Sequence, residues 1–221
     1  MRIKSLIFSL VYIFSCAGVN QKPKIYKPTK DAVMLELETF DGPTIKGLQK
    51  KLAELDEKGY ETIYLRINSN GGSIGAALDL IQFVEQMKTP LTCVSDYRSL
   101  SAGAYTLESD ACSVRLMTKR SVLLFHAALT LDTSGNAKEL RHEAEALETI
   151  TNALVASTAE RMGMSEEDFQ KQIDGRNWWL SYTDALKYNA IDGLVDPKDL
   201  PKLIAYNVPS ALELLLDSLK K

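Results

Sequence analysis

From residue 31 onward, short β-branched or aromatic runs alternate with longer amphipathic segments, and this alternation constrains the fold more than any other feature. Residues 32–37 and 62–67 are typical of strands. Residues 43–58 and 74–87 carry apolar side chains at helical spacing and are predicted to be helices. Strand and helix units joined by short turns predict one α/β domain with a mostly parallel sheet and covering helices.

The same alternation continues through the second half of the domain, where the helices become longer. A strand that ends in a turn is expected to lead into a helix of small residues starting near Ser101. Two further strands precede a long helix that ends at a glycine. The predicted elements are strand 91–94, turn 96–100, strands 112–117 and 122–125, and helix 136–162.

Residues 1–15 are typical of a lipoprotein signal peptide, because two basic residues precede an apolar run, Leu6–Phe14, that is too short to span a bilayer. The run ends in Ile13-Phe14-Ser15-Cys16-Ala17, which resembles a bacterial lipobox with Cys16 as the lipidated residue. The expected location is the bacterial cell envelope, on a membrane and facing away from the cytoplasm. The alternatives are a plain secretory signal, or a buried first strand of a cytoplasmic protein.

Three further boundaries follow from composition along the chain. Residues 16–30 are polar, contain two prolines and lack periodicity, so they are interpreted as a tether. Residues 31–200 hold the α/β domain. Residues 201–221 have leucines at helical spacing and are predicted to form a C-terminal amphipathic helix.

Charge and cysteine content exclude some classes of function. The chain has 26 Lys and Arg against 29 Asp and Glu, a net charge of -3, so nucleic acid is not an expected partner. No cysteine or histidine cluster has metal-ligand spacing, and no metal or cofactor is expected. If Cys16 carries lipid, Cys93 and Cys112 lie in an oxidising compartment, where they either form a disulfide or stay as two buried thiols.

Only two histidines are available for acid–base chemistry. His142 lies among charged residues in the middle of a predicted helix and is interpreted as part of a solvated face. His126 directly follows the predicted strand 122–125. The carboxyl ends of parallel strands are where such sheets place their sites, so His126 is the candidate base.

A candidate nucleophile and candidate oxyanion donors follow other strands. Ser101 lies in the small-residue run Ser99–Ala104, where a strand turns into a helix, although a serine there can also be a plain helix cap. Gly71 and Gly72 follow strand 62–67, and their bare N–H groups can face a developing oxyanion. Because strand ends of one sheet converge, these residues together suggest acyl transfer.

Four motifs in this order resemble those of Clp protease proteolytic subunits, which have the ClpP/crotonase fold. They are Ile67–Ser73, Ser101–Ala104, Leu123–His126 and the stretch 180–192. The similarity covers about residues 33–197. It implies a serine endopeptidase that acts on peptides or unfolded segments through an acyl-enzyme.

Carried over by position, the resemblance implies Ser101 as nucleophile, His126 as general base, and the N–H groups of Gly72 and Ala102 as oxyanion hole. Substrate would bind as an added strand along Gly71 and Gly72. The long helix from residue 136 would be the family's handle, through which two heptameric rings meet. A homo-oligomer is therefore expected.

Two features depart from the family pattern. Asn177 occupies the position of the catalytic aspartate, and an amide supplies no charge to stabilise an imidazolium; Asp174, three residues earlier, is the alternative third member. An exported chain would also lack the cytoplasmic ATPase partner and ATP. The expectation is therefore ATP-independent cleavage.

Two other functions stay open from the sequence. Asn177 favours a catalytically impaired member of the fold that binds peptides or acts as a scaffold. The run Ser101–Tyr105 also suits signal-peptide peptidases, which share a related fold and use a Ser/Lys dyad; Lys138 would then be the base.

Overall fold

The computed structural model describes residues 23–130 and 133–209, together with the single residues 213, 216 and 219. Strands and helices mostly alternate along the described chain, and a short 3₁₀ turn at Pro197–Asp199 precedes the last strand. The strands are β1 Ile25–Tyr26, β2 Val33–Leu37, β3 Ile63–Ser69, β4 Leu91–Leu100, β5 Val114–Met117, β6 Val122–Phe125, β7 Trp178–Ser181, β8 Gly193–Val195 and β9 Lys202–Leu203. The helices are α1 Gly42–Glu57, α2 Ile74–Val84, α3 Ala102–Leu107, α4 Ala137–Met162, α5 Glu166–Ile173 and α6 Tyr182–Lys187.

Within these described ranges the strands form one sheet in the order β1-β8-β5-β4-β3-β2-β9, and all neighbours in this order are parallel. The carboxyl end of β4 also pairs with β6, and β6 pairs with β7 in the antiparallel sense. The expected α/β fold with a mostly parallel open sheet and covering helices is confirmed.

Apolar residues cover both faces of the sheet. One face packs against the helices, and residues such as Leu35, Leu65 and Leu48 are fully buried there. The alternate residues of β2 and β3, Met34 and Tyr64, lie in a second, smaller cluster on the other face. Burial on both faces explains why these strands are nearly continuous apolar runs.

Strand β4 is longer than predicted, and the expected turn at 96–100 is wrong. The register with β3 shifts between Ile67 and Ser69, so that β4 accommodates extra residues in a bulge. Tyr97 lies in this bulge with a φ of 72°. The polar residues that favoured a turn therefore stay in the strand, because a bulge admits left-handed backbone without ending the ladder.

The sheet extends beyond the predicted domain at both ends. Ile25 and Tyr26 pair with β8, so the described part of the segment interpreted as a tether, 16–30, contains a strand. Gly193 permits this approach, since a side chain there would meet the Tyr26 ring at 2.6 Å. At the other end β9 pairs with β2, and residues 204–209 are not helical, so the helix predicted over 201–221 does not begin at 201.

Several expectations concern residues outside the described ranges. The signal peptide at 1–15 and the lipidation site at Cys16 are among them, as is most of the C-terminal segment, of which Glu213 and Leu216 are helical. Among the described residues, the structure contains no helix with the length and apolarity needed to cross a bilayer.

Candidate active site

Ser101 lies at a sharp turn between β4 and α3. Its φ of 54° and ψ of −121° fall outside the regions that non-glycine residues ordinarily adopt. As the residue before α3 it occupies the N-cap position, but its side chain accepts no capping hydrogen bond. The structure therefore disfavours the alternative that Ser101 is a plain helix cap, and strain of this kind is typical of functional positions.

The register of β4 and β6 places His126 beside this turn. Leu100 pairs with Leu124, and the Ser101 N–H donates to the Leu124 carbonyl at 2.9 Å. His126 lies two residues after Leu124, directly beyond the end of β6, and is partly exposed, as is Ser101. The structure thus brings the candidate nucleophile and the candidate base to the same edge of the sheet.

Gly71 and Gly72 also lie at this edge, and Gly71 contacts the turn directly. A Cβ added to Gly71 would lie 2.8 Å from the Ser101 Cβ and 2.8 Å from the Leu100 carbonyl. Gly72 forms a parallel bridge with Phe40, in which the Ser73 N–H donates to the Phe40 carbonyl, so the bridge does not use the Gly72 N–H. Gly71 and Gly72, here called the glycine loop, therefore lie against the start of α3, where the Ala102 N–H has no intrahelical acceptor.

We predict that Gly71→Ala lowers the catalytic rate at least about a hundredfold, because its methyl group would displace Ser101 and its φ of 95° disfavours alanine. Gly75→Ala in α2 is the matched control, since a Cβ there meets only the Ser73 Oγ at 3.6 Å. Peptide hydrolysis and urea unfolding of both variants are the measurements. Equal activity in the two variants would show that the glycine loop does not shape the site.

The third candidate position lies directly opposite His126. Phe125 pairs with Trp178 across the antiparallel β6–β7 ladder, so Asn177 is the next position in register with His126. Asn177 and Asp174 are both exposed, and Asp174 lies three residues further away at the end of α5. The ladder thus places the Asn177 backbone next to that of His126, whereas Asp174 lies outside the ladder.

An aromatic cluster supports this end of the ladder. Phe125 packs edge-on against Tyr105 at 5.4 Å and Phe169 at 5.5 Å, and Trp178 packs against Phe169 at 5.3 Å and Tyr188 at 5.1 Å. The neighbours of His126 and Asn177 in sequence are thus held in the core. Trp179 points away from this cluster and is 54% exposed.

Lys138, the alternative base, and His142, the second histidine, both lie on α4, apart from the turn at Ser101. Lys138 is exposed in the first turn of the helix, where its N–H donates to the Asn136 side chain. His142 is exposed one turn later and lies 3.4 Å from the Glu145 carboxylate. Nothing in the described residues connects either side chain to Ser101. In the ranges 23–130 and 133–209 no group of acidic, histidine or cysteine residues has the arrangement of a metal site.

Cys93 and Cys112 form a disulfide, which the sequence left open. Both residues are fully buried and lie 19 positions apart. The bond joins β4 to the segment before β5, and the chain that it closes carries Ser101 and all of α3.

A buried ionic network, not recognised from the sequence, lies at the far end of α3. Glu108, the C-cap of this helix, is 1% exposed, and the Arg115 guanidinium donates to it at 2.7 Å and to Asp192 at 2.8 Å. The Glu108 Oε1 atom has no hydrogen-bond partner among the described residues. Burial raises the pKa of Glu108 from 4.5 to about 8, because lost hydration outweighs the attraction of Arg115.

We predict that this carboxyl makes folding stability fall as pH rises from about 4.5 to about 8. The folded state binds the proton more tightly than the unfolded state in this window, so each added pH unit costs up to about 1.4 kcal/mol. Glu108→Gln should flatten this part of the profile. Urea unfolding of both proteins from pH 4.5 to 8 is the measurement, and parallel profiles would contradict the assignment.

Comparison with known proteins gives the family. Residues 25–198 match the Clp protease family. The ATP-dependent Clp protease proteolytic subunit 2 of Prochlorococcus marinus strain NATL2A is 30% identical over 139 residues, which are 63% of this chain and 69% of the relative. The corresponding subunit of strain MIT 9313 is 30% identical over 164 residues, which are 74% of this chain and 81% of the relative. An ATP-dependent Clp protease proteolytic subunit 3 from Synechococcus sp. (strain CC9902) is 27% identical over 139 residues, 63% of this chain and 69% of the relative. With its mostly parallel sheet and its family match over most of its length, the chain belongs to the Clp protease family.

Proposed function

We propose that this protein is a serine endopeptidase that cleaves peptides or unfolded protein segments through an acyl-enzyme on Ser101. The observation that carries the proposal is the strained turn at Ser101, whose hydroxyl caps no helix and lies one residue beyond the β4–β6 pairing. A serine held in this way is free to react. The family match and the position of His126 support the same conclusion.

In the proposed mechanism the His126 Nε2 atom takes the proton of the Ser101 hydroxyl as its oxygen attacks the scissile carbonyl carbon. The negative charge that develops on the carbonyl oxygen is stabilised by the N–H groups of Gly72 and Ala102. The proton then passes from His126 to the leaving amine as the peptide bond breaks. Water, deprotonated by His126, hydrolyses the ester and restores the Ser101 hydroxyl.

Substrate is proposed to bind in extended form along the loop of Gly71 and Gly72, where main-chain hydrogen bonds favour unfolded segments over folded ones. A homo-oligomer is proposed as the working form, with rings of seven as the family resemblance implies. Exposed apolar side chains on α4 support it, because Leu140 is 42% and Ile150 is 38% exposed. Sedimentation of the purified protein tests this, and a monomer at working concentration would contradict it.

We further propose that the protein is exported, anchored by lipid on Cys16, and independent of ATP and of an ATPase partner. The buried Cys93–Cys112 disulfide supports this, because such bonds persist in oxidising compartments. Cys16→Ser should move the protein from the membrane fraction to the soluble fraction. Unchanged membrane association of that variant would contradict the anchor.

We predict that His126→Ala lowers the rate of ATP-free hydrolysis of a fluorogenic peptide at least about a thousandfold, because the nucleophile then has no base. His142→Ala should keep wild-type activity, since this side chain lies exposed on α4. Lys138→Ala is the third variant, and it tests whether Lys138 is the base. Activity lost only in Lys138→Ala would support a Ser/Lys dyad of the signal-peptide peptidase type.

A second candidate function is a noncatalytic peptide-binding or scaffold protein. It is favoured by Asn177, which places an amide where the family has a carboxylate, in register with His126. This alternative predicts that folded, assembled wild-type protein binds an unfolded substrate without cleaving it. Product formation that depends on His126 excludes it.

A further inference from the structure

The His126 ring has a hydrogen-bond partner that the sequence did not indicate. Its Nδ1 atom lies 2.6 Å from the backbone carbonyl oxygen of Ala127. A carbonyl oxygen only accepts hydrogen bonds, so this contact requires the proton on Nδ1. In the neutral ring the Nε2 atom then carries the lone pair, which is the form that can accept a proton from Ser101.

Two buried side chains hold the segment that carries this carbonyl. The Tyr105 hydroxyl donates to the His126 carbonyl at 2.8 Å, and the Thr151 hydroxyl accepts from the Ala128 N–H at 2.9 Å. Each of the two side chains is 5% exposed. Burial raises the pKa of Tyr105, which keeps its hydroxyl protonated as a donor. The backbone on both sides of Ala127 is therefore fixed.

One anchor belongs to the helix that follows Ser101, and the other belongs to α4. Tyr105 lies one turn after Ser101 on α3, and its N–H donates to the Ser101 carbonyl at 3.1 Å. Thr151 lies midway along α4, where the helix first becomes buried. One helix thus positions both the candidate nucleophile and the backbone of the candidate base.

The other two candidate partners form no hydrogen bond with the ring. Among the described residues, the imidazole of His126 is hydrogen-bonded to the Ala127 carbonyl and not to the exposed side chains of Asn177 and Asp174. In a serine triad the third member fixes the tautomer of the histidine, and loss of that tautomer costs about ten-thousandfold in rate. A carbonyl oxygen can fix the tautomer without a carboxylate.

We propose that the Ala127 carbonyl, held by Tyr105 and Thr151, takes the place of the triad carboxylate and fixes His126 in its Nδ1–H tautomer. Tyr105 and Thr151 are positioning residues, and Asn177 is dispensable for orienting the ring. The proposal rests on the proposed peptidase function for its catalytic meaning. Its structural claim, the tautomer, is independent of activity.

The tautomer is measured by ¹⁵N NMR of the imidazole at a pH where the ring is neutral, in His142→Gln protein, so that His126 supplies the whole signal. The expected result is a protonated Nδ1 and an unprotonated Nε2. Tyr105→Phe and Thr151→Val should each convert this to a mixture of tautomers. Tyr206→Phe is the matched control, because its hydroxyl also donates to a backbone carbonyl, that of Glu36 at 2.9 Å, on the distant strand β2.

The rate of phosphonylation by a fluorophosphonate gives the catalytic readout. Asn177→Ala and Asp174→Ala are expected to react within about threefold of wild type, and Tyr105→Phe and Thr151→Val about ten- to a hundredfold more slowly. A protonated Nε2 in the wild type, or an Asn177→Ala rate as low as that of His126→Ala, would overturn the inference. An Nδ1–H tautomer in a wild type that does not react would instead contradict the peptidase function alone.

Discussion

Replacing Ser101 with alanine is expected to lower peptide hydrolysis by about 10⁴- to 10⁶-fold, the largest effect of any single substitution in this protein. The change removes the oxygen that forms the acyl-enzyme and leaves only binding and the oxyanion donors. Because Ser101 accepts no helix-capping bond, its removal should cost little stability. Steady-state hydrolysis of a fluorogenic peptide, together with thermal unfolding, is the measurement.

Ser113→Ala is the matched control for this substitution, since Ser113 is exposed before β5, at the opposite end of the sheet. It should keep wild-type rates. If folded Ser101→Ala protein cleaves peptides as fast as Ser113→Ala, then the nucleophile lies elsewhere and the interpretation of the strained turn is wrong.

Loss of the Cys93–Cys112 disulfide is expected to lower the free energy of unfolding by about 3 kcal/mol. The bond closes a loop with a sequence separation of 19, and a closed loop of this size restricts the unfolded chain by about that amount. Wild-type protein that is refolded with or without reductant gives the comparison, because both forms keep the same side-chain volumes. Urea unfolding of the two forms is the measurement.

Activity should fall together with stability, because the loop that the disulfide closes contains Ser101 and α3. The Cys93→Ala/Cys112→Ala variant is the control, and its unfolding midpoint should not respond to reductant. Free thiols on both Cys93 and Cys112 in the denatured, unreduced wild type, located by alkylation and mass spectrometry, would show that the bond does not form.

Much of the fold follows from the sequence, because its principal strands and helices are local patterns. The apolar run of β3 and the helical spacing of α1 and α2 are each visible within a dozen residues. Once these elements alternate, the parallel sheet follows, and strand ends must converge at one edge. This is why the sequence predicts Ser101, His126 and the glycine pair at one edge of the sheet.

The features that were missed depend on partners far away in sequence. Strands β1 and β9 have two residues each, and only pairing with β8 and β2 makes them strands. The disulfide requires β4 and the segment before β5 to meet, which cysteine counting cannot decide. Glu108 was not recognised because its partner Arg115 belongs to a different element.

The site was predicted unevenly for the same reason. The candidate nucleophile, base and glycine pair belong to residue types that chemistry selects, whereas the role of the Ala102 N–H was only implied by the family resemblance. The partner of the His126 ring is a backbone carbonyl, and no residue type signals it. Tyr105 and Thr151 are ordinary helix residues until the structure places their hydroxyls against residues 126–128.

The most direct test is to treat folded wild-type protein, without ATP, with a fluorophosphonate and to locate the adduct by mass spectrometry. The result expected is one adduct per chain, on the peptide that contains Ser101, formed at least about a thousandfold more slowly in His126→Ala. The account would be contradicted if folded protein, with its Cys93–Cys112 bond intact, formed no adduct or formed it at another serine.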